Sequence, residues 1–430
     1  MVKIRDLESL TQNEREAIIN RYELDLEKIF PSVQSIVEDV KRRKDEAIID
    51  YTSKFDGVNL SKEKLRVSEE EINTAYQKVS ESLLKAIKKS VSNIQKFHEK
   101  QINEFSCKTQ PGVTVSQIIR PLESVGIYVP GGRAAYPSTV LMTAVPARLV
   151  GVEQIIVCTP PQENGAVNSA VLVACNEAGV TDIYRVGGAQ AIASMAYGSE
   201  TVPKVEAIFG PGNIYVTAAK ILVNKDVKID LPAGPSELLI ISDATGNPQF
   251  IAADLLSQAE HDPHSKVVLV TTSESLALQV EESIIRFLEN LPRKDIFSKS
   301  LDNVLILISD SLDKAVEFSN TYAPEHLEIH TESPKSLLPK IKNAGAIFLG
   351  SFSPVAVGDY SAGSNHVLPT GGFAKAYSGL ASYNFVKTIS VVECSYSGLK
   401  GLAETVITMA DFEGLTAHAE SIKMRFSNEE

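Results

Sequence analysis

The chain has 430 residues, 43% of them apolar and 22% charged, with a formal net charge of −12. That balance suits compact globular domains and excludes a disordered or fibrous chain, while the length asks for two or more domains. The acidic charge and the scattered Lys and Arg exclude the basic footprint that a nucleic-acid partner requires.

The opening stretch, MVKIRDLESLTQNEREAII, carries charges every few positions and no apolar run long enough for a signal peptide or a membrane span. A cytosolic protein with no membrane partner is expected. The four cysteines, Cys107, Cys158, Cys175 and Cys394, form no CxxC pair and no disulfide framework, so reduced thiols are expected. Cys158 and Cys175 stand in apolar runs that suit small buried residues.

The first hundred residues read as helix. Val33, Ile36, Val37 and Val40 repeat at helical spacing, as do Leu83, Ile87, Val91, Ile94 and Phe97. Ser68 with Glu71 forms a capping box that opens EEEINTAYQKV. His98 closes this region and is expected at the surface. From about residue 113 the pattern turns to short β-branched runs separated by helices: SVGIYV, STVLMTAVPARLV, QIIVC, AVNSAVLVACNEAG, DIYRV, EAIF and NIYVTAAKILV. A second set follows, with ELLIIS, QFIAADLLSQAE, KVVLVTT, a helix through Ile284 and Ile285, NVLILIS and GAIFLG. Continuous apolar strands alternating with helices predict an α/β fold with two Rossmann-like parallel sheets. The Gly- and Ser-rich stretch from Ser351 to Gly379 reads as a long ordered loop, KTISVVEC as a strand, and the remainder as a helical tail broken near Gly414.

Several constellations carry chemistry. GPGN, Gly210 to Asn213, follows a strand and opens a helix as a pyrophosphate loop does, but Tyr215 stands where the third glycine of the fingerprint belongs. A plain tight turn explains it equally, as it does GIYVPGG at Gly126 to Gly132. Gln258 and His261 are three apart and share a face if their helix reaches so far; His261 and His264 are a rival pair interrupted by Pro263. Asp359 and His418 could complete a zinc set with either, although no spacing brings them together. Glu325 and His326 are adjacent groups able to move protons near neutral pH, or else a water-facing carboxylate and a strand-end cap. His366, in a glycine-rich loop, suits solvent and ligand alike.

GIYVPGG, GGAQAIAS, GPGNIYV, AGPSE, SQAEHDP, APEHLE, GDYSAGSNHVLPT and EGLTAHAE, running in this order from residue 126 to 420, resemble the motif series of the histidinol dehydrogenases. The resemblance implies oxidation of L-histidinol to L-histidine through the aldehyde, with two NAD molecules used in succession, at the end of histidine biosynthesis. It implies one zinc per subunit held by Gln258, His261, Asp359 and His418, and an NAD site lined by Tyr128, Gln190 and Asn213. Ser236, His326, His366 and Glu413 would contact the substrate together with the zinc ligands; His326 would be the base for the hydroxyl proton and Glu325 would activate water. It further implies a homodimer whose C-terminal tail crosses to the partner. The expected division is a helical arm over 1–24, a first α/β domain over 25–125 with 237–378, an NAD-binding α/β domain over 126–236, and the dimerisation tail over 379–430. Rival readings are an aldehyde-dehydrogenase-like enzyme with a cysteine nucleophile, a non-catalytic NAD- or metal-binding protein, and a zinc hydrolase using Glu325 on water.

Overall fold

The structure is a computed structural model that describes residues 2–21, 26–131, 135–230, 234–289, 297 and 299–427. Gly132 of GIYVPGG, Ala233 of AGPSE and residues 22–24 of the expected arm lie outside them. In chain order the strands are β1 (Lys3–Asp6), β2 (Phe105–Gln110), β3 (Val113–Pro121), β4 (Ser124–Tyr128), β5 (Gln154–Thr159), β6 (Asp182–Arg185), β7 (Ala207–Phe209) and β8 (Lys228–Ile229). They continue with β9 (Glu237–Ser242), β10 (Lys266–Thr271), β11 (Val304–Ile308), β12 (His326–His330), β13 (Ala346–Leu349) and β14 (Val386–Cys394).

The chain divides into two compact units, Met1–Glu99 with Leu122–Phe385, and Lys100–Pro121 with Val386–Glu430. The first holds two all-parallel sheets, one ordered β6-β5-β4-β7-β8 and one ordered β1-β11-β10-β9-β12-β13. Counted from β4 and from β9, both follow the doubly wound order 3-2-1-4-5, with β1 as an extra edge strand on the second. The expected pair of Rossmann-like sheets is therefore present. Their strands read as unbroken apolar runs because both faces are covered: every residue of β4 and of β9 is buried.

The helices over 26–98 pack differently from the expected division. Val33, Val37 and Ile48 share a core with Ile156 and Ile208, while Ile87 and Ile94 share one with Val125 and Val157. Residues alternating along one strand point to opposite faces, so these helices add cover to both faces of the five-stranded sheet instead of joining the six-stranded one. The capping box at Ser68 and Glu71 forms as expected. His98 departs from its expected surface position: it is fully buried at the end of Glu81–His98, where its carbonyl accepts a hydrogen bond from Ser382 Oγ at 3.0 Å.

In the second unit β14 and β2 flank β3 in an antiparallel sheet, followed by helices Tyr396–Phe412 and Thr416–Lys423. Gly414, at φ +73°, makes the expected break between them. Of this sheet only β14 was expected, as KTISVVEC; β2 is a polar, exposed strand and β3 a mostly half-buried one that mixes polar with apolar residues, so neither has the continuous apolar run of the others. No helix among the described residues is long and apolar enough to cross a membrane.

Candidate active site

The five-stranded sheet opens at its carboxyl ends onto a cavity of 1410 Å³. Tyr128 ends β4, Gln190 lies in the first turn of the helix Gly188–Tyr197 after β6, and Asn213 caps the helix Ile214–Val223 after β7; all three line the cavity. Carboxyl ends at the point where strand order reverses are where open α/β sheets bind ligands. Gln190 is 1% exposed, and neither its Oε1 nor its Nε2 has a partner, so the protein leaves a buried amide for something else to satisfy. Tyr128 Oη accepts from the N–H of Gly188 at 3.1 Å, and burial pushes its phenol up to about 12, which keeps it a neutral hydroxyl. Asn213 Oδ1 accepts from the N–H groups of Tyr215 and Val216 at 3.0 and 3.1 Å, so its side chain first serves its own helix.

GPGN needs its first glycine for a local reason. Gly210 has φ +111°, and a Cβ there would lie 2.1 Å from the carbonyl oxygen of Tyr128, so a side chain would drive the β7 turn away from the end of β4.

The second cluster lies at the opposite, amino edge of the six-stranded sheet. Glu237 opens β9 and His326 opens β12, neighbouring parallel strands that place Glu325 and His326 beside Glu237. The turn into β12 comes from the helix Leu312–Tyr322, whose C-cap Ala323 takes the left-handed conformation at φ +51° before Pro324. His326 is buried, with Nδ1 2.9 Å from the Glu237 carbonyl and 3.5 Å from Glu325 Oε2. Its Nε2 is buried without a hydrogen-bond partner and lies 3.7 Å from Asp359 Oδ1. Burial pushes His326 down to about 4, the charges of His261 and His366 adding to the effect, so the ring is neutral at pH 7. Burial raises Glu325 well above the usual carboxylate range against the opposing hydrogen bond from the Glu237 N–H, with Glu237 and Asp359 raising it further.

Asp359 lies on the short helix Val355–Tyr360, and its carbonyl is 2.9 Å from His366 Nδ1. Burial and then the Glu328 charge push the Asp359 carboxyl up to about 7, and burial pushes His366 down to about 4. A bound cation would reverse that preference at Asp359 and favour its anion. The helix Pro248–Ala259 runs from β9 back toward the start of β10, which carries Gln258 and His261 to the same edge. Gln258 is 1% exposed with Oε1 unpartnered. His261 follows the helix end and is exposed, as is the rival His264. Half-buried Ser236 directly precedes Glu237. Glu413 and His418 belong to the second unit, where Glu413 caps the helix Tyr396–Phe412 and His418 lies in Thr416–Lys423, both exposed.

Other residues at this edge escaped the sequence reading. Arg21 binds both oxygens of the Glu237 carboxylate, at 2.9 and 2.5 Å, and donates to the carbonyl of Tyr322 at 2.9 Å. Behind His326, Glu328 and His330 occupy the same face of β12, and with Asp254 they form a group whose ligand atoms lie within 4.8 Å of one another. It includes none of the expected zinc ligands. His330 Nε2 is 3.1 Å from Glu328 Oε2, and burial together with the Glu328 charge pushes Asp254 up to about 8, so a proton can hold these carboxyls together. Glu328 Oε1 accepts from the N–H of Val355, the first residue of the Asp359 helix, at 2.8 Å. The alternation His326, Glu328, His330 was legible as one polar face of a strand; nothing in the sequence signals Arg21.

The family model described as histidinol dehydrogenase matches residues 19–426. A histidinol dehydrogenase of Methanocaldococcus jannaschii is 49% identical over 424 residues, covering 98% of each chain. One from Clostridium acetobutylicum is 51% identical over 400 residues, 93% of this chain and 92% of that one. The solved structure of histidinol dehydrogenase from Elizabethkingia anophelis superposes with a TM-score of 0.94 at 43% identity, covering 99% of this chain and 98% of its own. A lactaldehyde dehydrogenase structure, at 11% identity and a TM-score of 0.50, shares the fold alone. The cysteine-nucleophile reading lacks an activated thiol among the buried cysteines, because burial pushes Cys158 up to about 12 and raises Cys175 as well. Matched across its motifs, its two sheets and nearly its whole length, the chain belongs to the histidinol dehydrogenase family, a family of oxidoreductases.

Proposed function

We propose that the chain oxidises L-histidinol to L-histidine through L-histidinaldehyde, the closing steps of histidine biosynthesis, using two NAD molecules in succession and one zinc ion per subunit. The observation that carries the reading is His326: a buried neutral imidazole whose unpartnered Nε2 faces Asp359, beside a second buried acid–base group, Glu325. His326 takes the proton of the substrate hydroxyl as hydride leaves its carbon. Glu325 takes a proton from the water that adds to the aldehyde, and the second hydride leaves the resulting hydrate. Tyr128, Gln190 and Asn213 would hold NAD, which when bound would supply the hydride acceptor for each oxidation.

The residues suit zinc: Gln258 Oε1 is a buried oxygen with no protein partner, and Asp359 and His261 supply the oxygen and nitrogen donors that zinc takes. Zinc held by Gln258, His261, Asp359 and His418 would bind the substrate's amino and imidazole nitrogens and so orient its reacting carbon. Ser236, His366 and Glu413 make the remaining substrate contacts in this reading.

The same proposal makes the enzyme a homodimer in which the partner subunit's His418 and the partner subunit's Glu413 complete each site. Exposed apolar side chains of the second unit, Ile389, Val392 and Phe412 among them, support a covered surface there. The test is the number of NADH formed per L-histidinol consumed, before and after chelation and zinc return. Two NADH, lost on chelation and regained with zinc, is the expected outcome. One NADH would mean that the aldehyde is released, and none would leave a binding protein or a hydrolase.

A further inference from the structure

The cofactor cavity has a wall that belongs to neither parallel sheet. The helix Asp45–Asp56 ends at its rim, and Asp56 lines it together with Tyr128, Pro160, Gly188, Gln190 and Asn213. Asp56 Oδ2 is buried with no hydrogen-bond partner. It lies close against Gly187: a Cβ on that glycine would lie 3.3 Å from Asp56 Oδ1 and 2.7 Å from Pro160 Cβ. The carboxyl therefore stands beside the loops that follow β5 and β6.

That position has chemical meaning in a doubly wound sheet. The carboxylate that accepts from the adenosine ribose normally comes from the end of the second strand of the wrap. Here the second strand is β5, which ends at Thr159 and continues as Pro160 and Pro161, with no acid at its tip. Asp56 brings a carboxyl to that spot from a different part of the chain. Burial pushes it up to about 6, so it is an anion at pH 7 and above. Among the described residues, the other charged groups of the lining are Lys54 and Glu163, both exposed, with the Lys54 ammonium 5.3 Å from the centre of the Phe55 ring.

We propose that Asp56 is the ribose-recognising carboxylate of this chain: it accepts from a ribose hydroxyl of the bound dinucleotide and repels a 2′-phosphate, and so selects NAD over NADP. This rests on the reading of the cavity as the NAD site. The test measures NAD and NADP binding by calorimetry on the wild type, Asp56→Asn, Asp56→Glu and Glu163→Gln, with thermal unfolding to verify that each is folded. Loss of one charge-assisted hydrogen bond and of the repulsion should lower the NAD-to-NADP affinity ratio of Asp56→Asn by roughly ten- to hundredfold. Asp56→Glu should keep a preference for NAD, and Glu163→Gln should leave the ratio unchanged. A folded Asp56→Asn with the wild-type ratio, or a ratio that moves only in Glu163→Gln, overturns the inference and leaves the cavity reading standing. A wild type that binds neither dinucleotide overturns both.

Discussion

The backbone N–H of Glu237 donates to Glu325 Oε2 at 2.8 Å, while the Glu237 carboxylate is itself held by Arg21. One residue thus steadies Glu325, the proposed water-activating group, with its backbone and ties Arg21 to the start of β9 with its side chain. Arg21 and Glu237 are 3% and 0% exposed at their side chains, so removing one partner strands a buried charge. Arg21→Met should lose about 3–5 kcal/mol of stability in urea unfolding. The double variant Arg21→Met with Glu237→Gln should recover much of that loss; no recovery would mean that the pair contributes through other contacts.

Glu325→Gln and His326→Gln should separate the two oxidations. Loss of a positioned proton acceptor costs about 10²- to 10⁴-fold in rate. Rapid-quench assays should find His326→Gln slow with histidinol, and Glu325→Gln slow from the aldehyde onward, forming its first NADH much faster than its second. Equal slowing of both steps in both variants would contradict the division of labour.

Glu328 lies 0% exposed behind the site and holds the N–H of Val355, which starts the helix bearing Asp359. Glu328→Leu removes that tether, and zinc affinity, read by competition with a chelator, should fall by about 10- to 100-fold. Glu328→Gln keeps a carbonyl acceptor for Val355 and should retain more of the affinity. Equal affinity in wild type and Glu328→Leu would assign the hydrogen bond to folding alone.

Asp56 makes a prediction about pH. Its folded carboxyl is raised from 3.8 to about 6 by burial, so the native state holds a proton that the unfolded chain releases. Its contribution is therefore present below 3.8 and is lost as pH rises to 6 and beyond. Asp56→Asn should be the more stable protein at pH 7 to 8, by on the order of 1 kcal/mol once solvent screening of a partly exposed group is allowed for. Melting curves from pH 4 to 8 should show the two proteins diverging as pH increases; parallel curves would contradict it.

Both wraps were legible because buried parallel strands such as ELLIIS and KVVLVT are continuous apolar runs, and no other element pattern explains their alternation with helices. Tyr128, Gln190 and Asn213 were named from motifs, and strand order brings them to one rim. What escaped reading depends on distance in sequence: Arg21 meets Glu237 across 216 residues, and Asp56 reaches the cavity from a helix that carries no nucleotide motif. The burial of His98 was also hidden, since helical spacing identifies a face but not which residue at a helix end turns inward.

β12 is hydrogen-bonded to β9 on one side and β13 on the other, with His326 paired to Leu238 and Ala346. His326 is the first rung of β12 and is flanked by a strand on each side, so its main chain is held in the sheet and not on a hinge; its amide should exchange with deuterium more slowly than those of the connecting loops. If His326 moves the proton as proposed, its place in the sheet is set before any ligand arrives, and the adjustments that binding requires fall to the loops around it.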